Sequence, residues 1–166
     1  MKKINDFVLL ITISIIDFIY RDSPIQRFWV LETIARAPYF AFVSVLHLKE
    51  SLGLRDLSHY YLMKEHFAQT LNETEHLIEM EHRGGADYWI DRAYAYHLVL
   101  IYYWIMVVYY FVAPLSAYHL NAGIEFHATE TYLKYLWEHP EDTRIAEIAV
   151  DEMNHYIELS RAMEMV

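Results

Sequence analysis

Two copies of one spacing, Glu73-x-x-His76 and Glu152-x-x-His155, set a carboxylate and an imidazole three residues apart. On a helix, positions i and i+3 share a face, so each pair can grip a metal ion from one side. Glu32 and Glu125 stand in other apolar stretches and complete a set of four carboxylates and two imidazoles. One Glu from each of two helices, with one Glu-x-x-His from each of two more, is the donor set of a dinuclear carboxylate centre in a ferritin-like bundle. Carboxylate and imidazole without thiolate suit iron or manganese better than a structural zinc.

The bland alternative is a set of surface charges. About one Glu-x-x-His is expected by chance in a chain this rich in both residues. A third copy, Glu79-x-x-His82, falls near a predicted helix end and reads as a decoy. Glu32 resists the surface reading, because Phe28, Trp29, Val30, Leu31 and Ile34 flank it. Carboxylates buried together cost several kcal/mol unless a cation compensates them. Glu125 and His76 read in the same way. Glu152 and His155 lie among more charge, and alone they fit either reading.

Helices must position these groups, and no strand period is visible. Ser23 and Pro24 fit the cap and first turn of a helix over about 24–51, which carries Glu32, is expected to kink at Pro38 and ends at Gly53. Further helices are expected over about 55–82, 86–112, 115–138 and 143–164, with Gly84-Gly85, Pro114 and the stretch from His139 to Thr143 as breaks. In an antiparallel hairpin, residues equidistant from the turn lie level, since both arms rise about 1.5 Å per residue. The midpoint of Glu32 and Glu73 falls at Leu52-Gly53, and that of Glu125 and Glu152 at Glu138-His139. Each hairpin therefore brings one lone Glu level with one Glu-x-x-His. The midpoint of Glu73 and Glu125 is Val99, inside the fourth helix, which makes that helix a crossover between the hairpins. The expected fold is all-α: a single domain, residues 1–166, built as a ferritin-like four-helix di-iron bundle with two additional membrane-interface helices.

Those two helices are residues 7–20 and 93–113. Residues 7–20 follow Lys2-Lys3 as a short apolar run interrupted by Asp17, too short to span a bilayer. An interfacial helix is the preferred reading, with a cleaved signal or a core segment as alternatives. Between Arg92 and Glu125 there is no Asp, Glu, Lys or Arg. Tyr and Trp are spread along the whole run, which suits an interface better than a bilayer centre. Monotopic attachment is preferred; a spanning helix and a buried core helix remain as alternatives. An iron-storage cage would not carry so long an uncharged stretch. The net charge of −10 argues against a nucleic-acid partner and against a polybasic tether. There is no Cys, so disulfides and thiolate metal sites are excluded.

The motifs Leu31-Glu-Thr33, Asn72-Glu-Thr-Glu-His76, Ile124-Glu125 and Asp151-Glu-Met-Asn-His155 resemble the four ligand motifs of the alternative oxidases. The run from Phe28 to Phe42, with Arg83-Gly-Gly85, Ala117-Tyr-His119 and the run from His127 to Tyr132, looks most like the plastoquinol (plastid-type) terminal oxidase branch. The resemblance covers about residues 21–160. It implies a membrane-associated quinol:O₂ oxidoreductase that oxidises plastoquinol or ubiquinol and reduces O₂ to water without pumping protons. Two iron ions, a homodimer and a monotopic position in one leaflet, of a thylakoid or cytoplasmic membrane, are implied with it. Carried over by motif, the metal ligands are Glu32, Glu73, His76, Glu125, Glu152 and His155. Asn72 and Asp151 match residues that orient ligands, and Tyr132 matches a redox-active tyrosine, with a packed core Tyr as the alternative. Arg27, Leu31 and Thr131 match quinol-pocket positions, and His119 is a further candidate there. The last motif lacks an Arg and a second His familiar from mitochondrial members, Thr74 and Glu75 differ from the usual residues, and the 125–152 connection is short. A quinone-ring hydroxylase of the demethoxyquinone type is the alternative enzyme, because it uses a similar ligand set.

Overall fold

A computed structural model describes residues 2–166. It contains six α-helices and, among the described residues, no strand: α1 Lys2–Ile19, α2 Pro24–Ser51, α3 His59–His82, α4 Trp89–Val112, α5 Pro114–Glu138 and α6 Thr143–Ala162. The chain is all-α, and its helix count is that of a four-helix di-iron bundle with two further helices. It divides into two compact units. One holds α1, α5 and α6; the other holds α2, α3 and α4. Each unit thus owns one expected hairpin and one expected membrane-interface helix.

The ends of α2 and α3 follow from glycine. Gly53 has φ +72° and Gly84 φ +85°, a region that costs side chains with a Cβ about 1 kcal/mol or more. Around Gly53, the Leu54 N–H donates to the Lys49 carbonyl and the Gly53 N–H to the Glu50 carbonyl. Around Gly84, the Gly85 N–H donates to the Met80 carbonyl and the Gly84 N–H to the Glu81 carbonyl. Both are the paired 6→1 and 5→2 bonds that satisfy the last helical carbonyls. Pro114 opens α5, where its missing N–H costs nothing. Asp142 caps α6 by accepting from the Ile145 N–H at 3.2 Å.

Three expected helix starts are corrected. The third helix begins at His59 rather than near 55, because residues 55–58 stay irregular, with the Ser58 hydroxyl donating to Asp56 Oδ1 at 2.7 Å. That bond, which also lowers the Asp56 carboxyl below its usual value, leaves Ser58 without a capping contact to the helix. The fourth helix begins at Trp89 rather than 86, beyond the turn closed by Asp87 N–H donating to the Gly84 carbonyl. The first helix extends beyond 7–20 at its start and covers Lys2–Ile19.

In the α2–α3–α4 unit the core is aromatic. The Phe42 ring lies 5.0 Å from His66 on α3 and 4.5 Å from Tyr110 on α4. Trp29 meets Tyr96 edge-on at 6.0 Å and donates from Nε1 to Glu81 at 3.3 Å. Gly85 passes so close to α2 that a Cβ there would lie 2.6 Å from the Trp29 Cβ. In the other unit, Phe126 and Tyr156 join α5 to α6 at 5.4 Å. The Asn5 amide donates to the Ser116 carbonyl at 2.7 Å, and Gly123 gives Leu9 of α1 close access to α5.

α2 and α4 are long and apolar enough to cross a membrane by length and composition alone. They differ in burial. Two thirds of the apolar stretch of α2 is buried, so its hydrophobicity serves the core. Only 17 % of the α4 stretch is buried, and Leu100, Ile101, Trp104, Ile105, Val108 and Val112 are exposed. The α4 apolar face is therefore not explained by packing within the chain, and the buried core-helix reading of residues 93–113 does not hold. α1 likewise buries only Asn5 and Ile16 and exposes Phe7, Leu10, Ile15 and Phe18. Continuous apolar faces of this kind mark an apolar partner or lipid.

Candidate metal centre

The α2–α3 hairpin brings Glu32 to Glu73 and His76. The three side chains each offer a donor atom within 4.8 Å of the others, and all three are buried. His76 Nδ1 lies 3.6 Å from Glu32 Oε2. The level-height argument for this hairpin holds because Gly53 turns the chain near the expected midpoint. In the other unit, α5 and α6 bring Glu125 to Glu152 and His155 in the same way, with donor atoms within 4.8 Å of one another. None of the six residues is more than 7 % exposed.

Each unit thus buries two carboxylates and one imidazole in contact. One imidazolium can balance one carboxylate at most, so each triad retains excess negative charge if both acids ionise. In a low-dielectric interior that arrangement is unfavourable by several kcal/mol per uncompensated anion. A divalent or trivalent cation removes the imbalance and uses the imidazole as a neutral ligand. The chemistry of the donors therefore fits a hard or borderline metal in each triad.

The decoy is resolved by its surroundings. Glu79 pairs with Arg83 at 2.7 Å, and His82 is exposed. Asn72 and Asp151, next to Glu73 and Glu152, are half-buried. Tyr132 is fully buried on α5, two turns beyond Glu125 on the same face. Thr131 is buried, and its hydroxyl donates to the His127 carbonyl at 2.9 Å. Arg27 and Leu31, one turn apart on α2, are half-buried. His119 lines a cavity of about 360 Å³ between α1, α5 and α6, together with Asn5, Asp6, Phe126 and Tyr156. Thr131 is not among its walls, so within this unit the structure does not gather His119 and Thr131 into one pocket.

Asn121 and His66 are among the buried polar residues that the sequence alone does not single out. Asn121 is fully buried one turn before Glu125, and neither its Nδ2 nor its Oδ1 has a hydrogen-bond partner. Its i−4 spacing from Glu125 was the available signal. His66, against Tyr39 and Phe42 and hydrogen-bonded to Gln69 at 2.9 Å, is so desolvated that its pKa falls from 6.5 to about 4. Burial penalises its charged form, so it stays neutral at physiological pH.

Comparison with known proteins fits this arrangement. The family model described as "Alternative oxidase" matches residues 6–165. The chain is 46 % identical over 135 residues to "Ubiquinol oxidase 4, chloroplastic/chromoplastic" of Arabidopsis thaliana, covering 81 % of this chain and 38 % of that protein. It therefore spans well under half the length of this curated relative. No solved structure matches. With nearly its whole length matched by the family model, the chain belongs to the alternative oxidase family.

Proposed function

We propose that the chain is a membrane-associated, non-haem di-iron quinol oxidase. It oxidises two quinols to quinones and reduces one O₂ to two waters, so that four electrons and four protons pass from quinol to oxygen. The observation that carries the reading is the doubled triad, two carboxylates and one imidazole buried in each unit of a chain from this family. The Arabidopsis relative is named a ubiquinol oxidase, which supports a quinol as the electron donor. The family match does not favour the quinone-ring hydroxylase.

In this reading residues 1–166 act as one functional domain, with one triad from each unit. Glu32, Glu73 and His76, with Glu125, Glu152 and His155, hold the two iron ions. When bound, the iron pair supplies the redox chemistry that stores electrons from successive quinols and delivers them to O₂. Carboxylates suit this work because they tolerate changes in metal charge and coordination. Asn72 and Asp151 orient the adjacent ligands by hydrogen bonding. Tyr132, shielded from water, lends one electron and its phenolic proton transiently and recovers both from the second quinol. Arg27, Leu31, Thr131 and His119 contribute to quinol binding.

The exposed apolar faces of α1 and α4 lie in one leaflet, of a thylakoid or cytoplasmic membrane, and admit the lipid-borne quinol. Membrane lipid is thus a partner, and the chain works as a homodimer. Apolar area must supply the attachment, because the net charge of −10 opposes acidic surfaces. The test is O₂ uptake by membranes carrying the protein, supplied with plastoquinol or ubiquinol analogues in the presence of cyanide. Quinol-dependent, cyanide-resistant uptake that forms water is expected. Hydroxylated quinone as the product, or no uptake by iron-loaded protein, overturns the reading.

A further inference from the structure

α2 and α4 flank an open, cleft-like cavity of about 440 Å³, wholly within their own unit. Thr33, Arg36, Ala37, Phe40 and Ser44 line it from α2, at the i, i+3, i+4, i+7 spacing of one helix face. α4 faces them with Tyr96, Val99, Leu100 and Tyr103 at the same spacing. Its size lies in the range of small-molecule sites.

Arg36 is the only charged residue lining this cavity. Its Nε is buried and makes no hydrogen bond, and among the described residues no ion pair to its guanidinium is found. Glu32, one turn earlier, belongs to the buried triad. The Thr33, Ser44 and Tyr103 hydroxyls are already engaged, and the Tyr96 side chain is half exposed to water. The Thr33 hydroxyl donates to the Trp29 carbonyl at 2.7 Å, and the Tyr103 hydroxyl donates to Ser44 Oγ at 3.0 Å, tying α4 to α2. A guanidinium carries five donors in a planar fork and cannot discharge itself by losing a proton. Arg36 is half-buried with its Nε shut off from water, so an anion reaching the cleft would meet a charged donor that no protein group already holds.

The anion's source follows from the walls. Phe40, Val99 and Leu100 supply apolar surface beside the cation, and Leu100 continues into the exposed apolar face of α4. The site thus pairs one cation with a greasy wall that runs outward. A neutral quinol leaves the guanidinium uncompensated, and a free anion leaves the apolar wall wet. We propose that this cavity binds one anionic glycerolipid, its phosphodiester on Arg36 and an acyl chain along Phe40, Val99 and Leu100 toward α4. The proposal rests on the membrane-facing reading of α4 given above. It adds a structural lipid site distinct from the residues assigned to the quinol.

The test uses the iron-loaded protein in neutral detergent, with native mass spectrometry after adding short-chain phosphatidylglycerol, phosphatidylcholine or inorganic phosphate. One phosphatidylglycerol is expected to be retained about tenfold more tightly than phosphatidylcholine, the difference a charge-assisted pair supplies. Inorganic phosphate alone is expected to be lost. Arg36→Gln should remove the preference for phosphatidylglycerol, and Arg36→Lys should keep part of it. Phe40→Trp, which narrows the cavity with the cation in place, should weaken retention and guards against a folding defect in Arg36→Gln.

Equal retention of both lipids, retention of phosphate without lipid, or unchanged retention in both Arg36→Gln and Phe40→Trp overturns the proposal. So does a dimer that carries no lipid and dissociates on Arg36→Gln, since a second copy then covers the cavity. Flotation with phosphatidylcholine vesicles separates the two failures. Protein that does not float contradicts the membrane reading and the lipid site together. Protein that floats but shows no preference for phosphatidylglycerol contradicts the lipid site alone.

Discussion

Gly85→Ala probes the contact that fixes the start of α2 against the end of α3. An added Cβ would lie 2.6 Å from the Trp29 Cβ, 2.9 Å from the Met80 carbonyl oxygen and 3.0 Å from the Ile25 carbonyl oxygen. Two of the three are backbone atoms, and the third is the root of a fully buried Trp, so no flexible tip can swing aside. Overpacking of this kind costs about 1–3 kcal/mol or more. Gly53→Ala is the matched control. A Cβ there meets nothing within 4 Å, and its only penalty comes from φ +72°, about 1–2 kcal/mol. Gly85 has no such φ constraint, so its cost is steric. Trp29 lies three residues before Glu32 on α2, and a displaced Trp29 carries Glu32 with it. Gly85→Ala should therefore lower the melting temperature by about 3–10 °C for a chain of this size and also reduce iron retention. Gly53→Ala should melt lower but keep its iron. Thermal melting followed by far-UV circular dichroism, with iron determined on the same samples, reads both effects. Wild-type melting and iron content in Gly85→Ala would refute the close-packing argument.

Three further outcomes follow from the same geometry. Glu73→Ala should lose iron and activity while Glu79→Ala keeps both, because Glu79 is held by Arg83 rather than by the triad; iron analysis of the two proteins separates the motif from its decoy. The neutral, buried His66 should make the protein less stable in acid: the unfolded chain takes up its proton near pH 6.5 and the folded chain only near 4. Its contribution is then complete above 6.5 and falls by about 3 kcal/mol as the pH drops to 4. Denaturant midpoints across that range should fall less steeply for His66→Gln, and an unchanged slope would contradict the burial argument. Tyr132→Phe should keep the iron and the fold but lose quinol-dependent O₂ uptake; full uptake in that variant would return Tyr132 to an ordinary core role.

The helices and the gathering of each triad were legible because they rest on local rules. Gly53, Gly84 and Pro114 mark helix ends through backbone conformation, and equal arm lengths about a turn set side-chain height. The start of α3 was not legible, because Ser58 can cap a helix or bond to Asp56, and only the folded chain decides between them. Arg36 and Asn121 were also missed. Nothing in spacing separates an arginine paired with the glutamate one turn away from one turned toward an apolar helix. Nor does sequence reveal that an asparagine between Leu120 and Ala122 is fully buried without a hydrogen bond. The quinol positions were the least legible, since they depend on which side chains share a cavity, and Thr131 lines neither of the two cavities described around His119.

The proposed function rests on the Glu32–Glu73–His76 and Glu125–Glu152–His155 triads serving together as one dinuclear centre. Mössbauer spectroscopy of the oxidised protein loaded with ⁵⁷Fe tests it most directly. Two antiferromagnetically coupled ferric ions would share a diamagnetic ground state, so under the proposal an applied field should produce no internal hyperfine field at either iron. Magnetic spectra of isolated high-spin ferric ions, or iron bound at only one triad, would contradict the account.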